Sequence, residues 1–143
     1  MSEALKLKNQ LCHRLYKASN AITRAYRPLL SPLGLTYPQY VVMMSLWEQD
    51  DVAVQDLIAH TQIDGGSLTQ ILTKLQHKAW LSLARDPEDG RKRRVKLTAA
   101  GQALQLEARQ VPERMVCQLQ NLSVEESYQL ASLLDRLTAG LDE

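Results

Sequence analysis

The stretch "VQDLIAHTQIDGGSLTQILTKLQHKAWLSLARDPEDGRKRRVKL", residues 54–97, changes its hydrophobic period part-way and so decides the fold. From about Val54 the pattern predicts a short helix, then a tight turn. A longer helix follows, capped by Asp64, whose carboxylate can accept from the free amides of a first turn. Leu68, Ile71, Leu72 and Leu75 recur at helical spacing and give that helix its inward face. After it the period drops to two. "WLSLAR" and "RVKL" alternate about the polar "DPEDGRK", where Asp, Pro and Gly favour a turn, so a β-hairpin is expected. Two helices joined by a short turn and followed by a hairpin make a helix-turn-helix with a wing.

Working outward, "TYPQYVVMMSLWE" begins a helix with Thr36 as N-cap and Gln39 placed to return the hydrogen bond, while Pro38 is tolerated in a first turn. Before it, Leu7, Leu11, Leu15, Ala18, Ile22, Ala25 and Leu29 form the apolar stripe of a helix of about seven turns ending near Pro32 and Gly34. Downstream, a long helix is expected from Thr98 to about Asn121 with a kink at Pro112. A last helix opens on the Ser123/Glu126 capping box and carries Val124, Leu130, Leu133, Leu134, Leu137 and Leu141 on its apolar side. The fold class is therefore mainly α with a small β-hairpin, in a single domain over residues 1–143. Residues 36–98 form the winged helix-turn-helix. Residues 5–32 and 99–143 form terminal helices with apolar sides and no evident core of their own, which suggests a homodimer that buries both stripes across a twofold axis.

A chain of 143 residues suits one domain, and 45% hydrophobic with 23% charged residues is ordinary for a globular protein. No segment has the apolar length of a membrane span, and "MSEALKLKNQ" has no export signal, so a cytoplasmic protein with reduced Cys12 and Cys117 is expected. The net charge of +1 says little about partners, because a nucleic-acid site needs only a local concentration of Lys and Arg. Such a concentration lies between Arg85 and Lys96, where Arg91, Lys92, Arg93 and Arg94 crowd the hairpin tip. Arginine on a two-stranded finger suits a minor groove, and Arg91 is the candidate; taken alone, the same run also reads as a solvated charged hairpin. Ser67, Thr69 and Gln70 lie near the start of the second helix of the motif, the end that commonly meets base edges. Lys74 could reach a phosphate. Gly65 and Gly66 could let the backbone approach one, or could serve only the turn. His13, His60 and His77 are scattered and show no metal-ligand spacing, and there is no phosphate loop or serine elbow, so neither an enzyme nor a metal or other cofactor is expected. Trp47, Trp80, Tyr40 and Tyr128 read as core residues.

"LLSPLGLTYPQYVVMMSLWE" and "DGGSLTQILTKLQHKAWLSLARDPEDGRKRRVKLTAAG", with the flanking helices, resemble the MarR family of winged-helix repressors over essentially the whole chain. The resemblance implies a dimer on palindromic double-stranded operator DNA, with Asp89 holding the Arg91 that enters the minor groove. Gly66, Ser67, Thr69, Gln70, Lys74, Lys92 and Arg93 are the further candidates for contact with the DNA, from their places in the second helix and the wing. "QLCHRLYKASNAITRAYRPLLSPLGLTYPQY" resembles the OhrR-type branch that senses organic hydroperoxides. There the reactive cysteine falls at Cys12, its tyrosine partners fall at Tyr26 and Tyr37, Tyr16 has its counterpart, and Cys117 matches the resolving cysteine of two-cysteine members. Cys12 and Tyr26 lie about 21 Å apart along one helix, so a tyrosine that bonds Cys12 must come from the partner chain. The implied mechanism is oxidation of Cys12, an intersubunit disulfide with Cys117, and release of the operator. The alternative is a repressor of the same family that responds to a small aromatic ligand, with structural cysteines.

Overall fold

The computed structural model describes residues 2–142. Helices α1 (Leu11–Leu30), α2 (Tyr37–Glu48), α3 (Val54–Thr61), α4 (Gly65–His77), α5 (Ala99–Ala108), α6 (Gln110–Gln118) and α7 (Val124–Leu141) accompany three short strands, β1 (Val52–Ala53), β2 (Leu81–Arg85) and β3 (Arg93–Leu97). The fold is a winged helix, mainly helical with a small antiparallel sheet. The chain divides into two units, Met1–Val111 and Pro112–Glu143.

In the first unit the local signals act where the sequence puts them. Thr36 Oγ1 accepts from the Gln39 amide at 3.3 Å, and the Gln39 side chain accepts from the Thr36 amide at 3.2 Å, closing the capping box of α2. Asp64 Oδ1 accepts from the Ser67 amide at 2.9 Å and starts α4. Among the described residues, Leu68, Leu72 and Leu75 of α4 meet Leu30, Val42, Met43, Leu46 and Leu57 in one buried core closed by Leu81, Val95 and Leu97 of the sheet. Ile71 packs at its edge.

The hairpin register pairs Leu83 with Val95 and Ala84 with Arg94. The sheet has a third strand that the hairpin pattern did not reveal: β1 pairs Val52 with Val95 and Ala53 with Arg94. Two residues are too few to show a period, so only the tertiary pairing exposes β1. Trp47 Nε1 donates to the Gly101 carbonyl at 2.9 Å and pins α5 against α2. Both tryptophans are partly buried against the core, and Tyr40 is buried within it.

Three expectations need correction. The first α-helix begins at Leu11, not near residue 5, because Glu3–Leu5 and Leu7–Asn9 form two 3₁₀ turns separated by the extended Lys6. The side chains of Asn9 and Gln10 turn back to the carbonyls of Glu3 and Ala4 and hold that arrangement. The long helix expected from Thr98 is two helices, broken at Arg109 between Ala108 and Gln110. Pro112 supplies the reason: it has no amide proton, and its ring clashes with the carbonyl four residues earlier, that of Ala108. Tyr128 is 74% exposed, since α7 buries none of its residues in this chain.

In the second unit Ser123 Oγ accepts from the Glu126 amide at 3.1 Å and Glu126 accepts from the Ser123 amide at 2.9 Å, so α7 starts where its capping box predicts. No helix among the described residues is long and apolar enough to cross a membrane.

Candidate nucleic-acid interface and thiol site

The surface expected to meet DNA is built from α4 and the wing. Ser67, Thr69, Gln70 and Lys74 are all exposed on α4, opposite its leucines. Thr69 Oγ1 donates to the Gly65 carbonyl at 2.8 Å, so its proton is spent within the helix and only its lone pairs face outward. Gln70 keeps both donor and acceptor character, while the Ser67 hydroxyl also engages the Asp64 carboxylate. Gly65 and Gly66 lie in the first turn of α4 with ordinary backbone angles, and the left-handed residue of the turn is Gln62, with φ of 61°. An added Cβ would meet nothing closer than 3.7 Å at Gly65 or 3.5 Å at Gly66, so the turn itself does not demand these glycines.

In the wing, Asp86 Oδ1 accepts from the amides of Glu88 at 2.8 Å and Asp89 at 3.2 Å. These bonds hold its carboxyl below the usual aspartate range, with a further contribution from Arg94. Asp89 Oδ1 then accepts from both the amide and the Nε of Arg91, at 3.1 and 3.3 Å. The Arg91 side chain, 92% exposed, projects from that anchor into solvent. Arg91, Lys92 and Arg93 share a cleft of about 230 Å³ with Val54, Thr69 and Leu83, so the wing tip and the start of α4 border one concave surface.

Sequence reasoning counted Arg94 only as part of a basic run. Its partners show otherwise: Arg94 Nε donates to Asp51 Oδ1 at 3.0 Å and Nη1 to Asp86 Oδ2 at 3.3 Å. Another missed contact joins Ser45 Oγ of α2 to His60 Nδ1 of α3 at 2.6 Å, with Glu48 Oε2 3.5 Å from His60 Nε2. Neither arrangement has a local sequence signature.

The residues expected at the thiol site fall into separate groups. Cys12 is exposed in the first turn of α1, where Gln10 provides no side-chain cap. Tyr16, exposed one turn on, stacks with His13 at 6.3 Å between ring centroids. Tyr26 lies near the far end of α1, its ring 4.8 Å from that of Tyr37 and 5.8 Å from that of Tyr40. Burial, followed by the neighbouring tyrosines Tyr37 and Tyr40, pushes the Tyr26 phenol above its ordinary value, and burial and then Tyr37 do the same for Tyr40. Both hydroxyls therefore remain protonated donors at neutral pH. Cys117 is exposed and lines an apolar groove of about 590 Å³ between α6 and α7, with Val116, Leu119, Leu122 and Tyr128.

Comparison with known proteins fits this architecture. The family model for transcriptional regulator SarA/Rot matches residues 24–107. The organic hydroperoxide resistance transcriptional regulator of Bacillus subtilis is 34% identical over 139 residues, covering 97% of this chain and 94% of that protein. The chain is a MarR-family winged-helix transcriptional regulator. Two solved structures resemble this regulator closely in shape. Reduced AbfR bound to DNA, a protein of Staphylococcus epidermidis, superposes with a TM-score of 0.80 at 26% identity, covering 99% of this chain and 100% of that one. A mutant MarR of Escherichia coli, complexed with operator DNA, gives 0.82 at 29% identity, covering 89% and 92%.

Proposed function

We propose that this regulator is a cytoplasmic homodimeric repressor that binds a palindromic operator and releases it when an organic hydroperoxide oxidises Cys12. One observation carries the reading: Tyr26 and Tyr37 are paired and partly buried at one end of α1, while Cys12 is bare about 21 Å away at the other. An antiparallel pairing of two α1 helices brings the tyrosines of one protomer to the cysteine of its partner. The apolar residues available for such pairing are uncovered: Leu11 is 60% exposed and Ile22 39%, and the leucines of α7 are likewise bare. Uncovered apolar surface of this kind on each helix points to an interface. The relative in Bacillus subtilis, named for organic hydroperoxide resistance, points to the oxidant.

The chemistry is balanced within the protein and its oxidant. The Cys12 thiolate attacks the distal peroxide oxygen, the O–O bond breaks, an alcohol leaves, and the sulfur becomes a sulfenic acid. Tyrosine hydroxyls from the partner donate to the thiolate and steady its charge. The Cys117 thiolate of the other protomer then attacks the sulfenic sulfur, the S–O bond breaks, water leaves, and an intersubunit disulfide forms. That bond draws its two α-carbons to within about 7 Å, and the two α4 helices lose the spacing that matches successive major grooves. On DNA, Ser67 and Gln70 face base edges, Gly66 and Thr69 line the approach, Lys74, Lys92 and Arg93 meet phosphates, and Asp89 aims Arg91 into the minor groove.

The competing reading, a repressor that responds to a small aromatic ligand and has structural cysteines, is favoured by the apolar groove of about 590 Å³ between α6 and α7. A non-reducing gel of reduced protein treated with cumene hydroperoxide separates the two. The redox reading expects a covalent dimer in the wild type that is missing from Cys12→Ser and Cys117→Ser. Undiminished thiol labelling after treatment supports the ligand reading.

A further inference from the structure

Resting on the DNA-binding reading, we infer that Arg94 is a positioning residue that braces the wing and makes no DNA contact of its own, unlike its neighbours in the basic run. Strand alternation supplies the first ground. Val95 is fully buried and Leu83 half-buried, so the face they share looks onto the core, and Arg94, the residue before Val95, lies on the opposite face. Arg94 accordingly borders the outer groove with Asp51, Ser82 and Lys96, whereas Arg91, Lys92 and Arg93 border the cleft with Thr69 of α4.

The second ground is commitment. The Arg94 side chain is only 33% exposed and engages two carboxylates at once, Asp51 at 3.0 Å and Asp86 at 3.3 Å, and it also donates to the Asp51 carbonyl. A guanidinium that holds two anions has little left to offer a phosphate. Arg91, by contrast, has a single carboxylate partner and is 92% exposed.

What Arg94 holds explains why it matters. Asp51 leads into β1 with φ of 55°, a left-handed conformation rare outside glycine, and Arg94 secures both its carboxylate and its carbonyl. Asp86 organises the wing turn through the amides of Glu88 and Asp89, and Asp89 in turn holds Arg91. A chain of contacts thus runs from the β1 segment through Arg94, Asp86 and Asp89 to the arginine at the tip. Without the brace the turn loses its side-chain link to the β1 segment, and Arg91 samples many directions before binding.

The test uses the full-length protein and the duplex that the wild type selects from a randomised library. Arg94→Gln removes the brace. Asp86→Asn removes only the ion pair, because the amide oxygen still accepts from Glu88 and Asp89. Hydrogen exchange is read at the amides of Asp86, Asp89 and Lys92, which the hairpin turn protects. Both variants are expected to exchange faster there and to bind the duplex on the order of tenfold more weakly at every salt concentration. Their slope of log K against log salt stays that of the wild type, while Lys92→Gln, at a residue assigned to phosphate, lowers it by about 0.9 for each phosphate that is no longer neutralised. Unchanged exchange and affinity would overturn the inference, as would a slope for Arg94→Gln that falls as far as that for Lys92→Gln. Failure of the wild type to select any duplex would instead bring down the DNA-binding reading, and the inference with it, whatever the exchange rates.

Discussion

Gly101→Ala offers a sharp test of how the wing is joined to the helices that follow it. Gly101 lies in the first turn of α5, where alanine is ordinarily better than glycine by up to about 1 kcal/mol. Here the added Cβ would stand 1.9 Å from the Trp80 carbonyl oxygen and 2.9 Å from its carbon. A carbon and a carbonyl oxygen tolerate about 3.3 Å, so α5 and the start of β2 would have to separate by roughly 1.4 Å. That movement strains the bond from the Thr98 amide to the Trp80 carbonyl at 3.1 Å and the bond from Trp47 Nε1 to the Gly101 carbonyl at 2.9 Å. Two hydrogen bonds at about 1 kcal/mol each, with about 1–3 kcal/mol of overpacking, give a destabilisation of about 3–5 kcal/mol. For a chain of this size that lowers Tm by on the order of 10 °C. Urea and thermal unfolding at one fixed protomer concentration read it, with Gly90→Ala as the control, since nothing lies within 4 Å of a Cβ there. A Gly101→Ala protein as stable as the wild type, or more so, would show that Trp80 and α5 are not in contact and would refute the reasoning.

Thr36→Ala removes the side chain that closes the α2 capping box and is expected to cost about 1 kcal/mol in urea unfolding. Asp64, Asp86 and Glu126 all have their carboxyls held below the ordinary range, chiefly by backbone amides. Their folded-state values lie below their unfolded ones, so the stability they supply is present above the ordinary value, 3.8 for aspartate, and is lost as the pH falls below it. Acid unfolding of Asp64→Asn should therefore depend less on pH in that window than the wild type does. Gln70→Ala is expected to lose affinity mainly for the selected duplex, by about 1–3 kcal/mol, while binding to unrelated DNA changes little. A uniform loss across sequences in competition titrations would reassign it to the backbone.

How much of this was legible depends on the distance over which each signal acts. The capping boxes of Thr36 with Gln39 and Ser123 with Glu126, the cap at Asp64 and the break ahead of Pro112 are all effects of residues within four positions of one another. The hairpin was legible because alternation and a turn mark it from within. Strand β1 was not, because its pairing partner lies some forty residues downstream. The role of Arg94 was hidden for the same reason: it meets Asp51 across 43 positions, and in sequence it stands among arginines that face elsewhere. The start of α1 was misjudged because a stripe of leucines carries the helical period back to Leu7, although the 3₁₀ turns there are held by side-chain bonds from Asn9 and Gln10. Tyr128 looked like core because it belongs to an apolar helix, and an apolar helix whose partner is another chain gives the same pattern. Of the proposed thiol site, the helical spacing put Cys12 and Tyr26 at opposite ends of one helix, and the folded chain adds Tyr40 to the Tyr26 and Tyr37 pair.

The most direct test of the account is operator release. Fluorescence anisotropy of the selected duplex with reduced wild-type protein is followed as stoichiometric cumene hydroperoxide is added, beside Cys12→Ser and Cys117→Ser. The account predicts that the wild type lets go of the DNA and recovers it with a thiol reductant, that Cys12→Ser holds on throughout, and that Cys117→Ser is oxidised at Cys12 without full release. Release from Cys12→Ser equal to that from the wild type would contradict it.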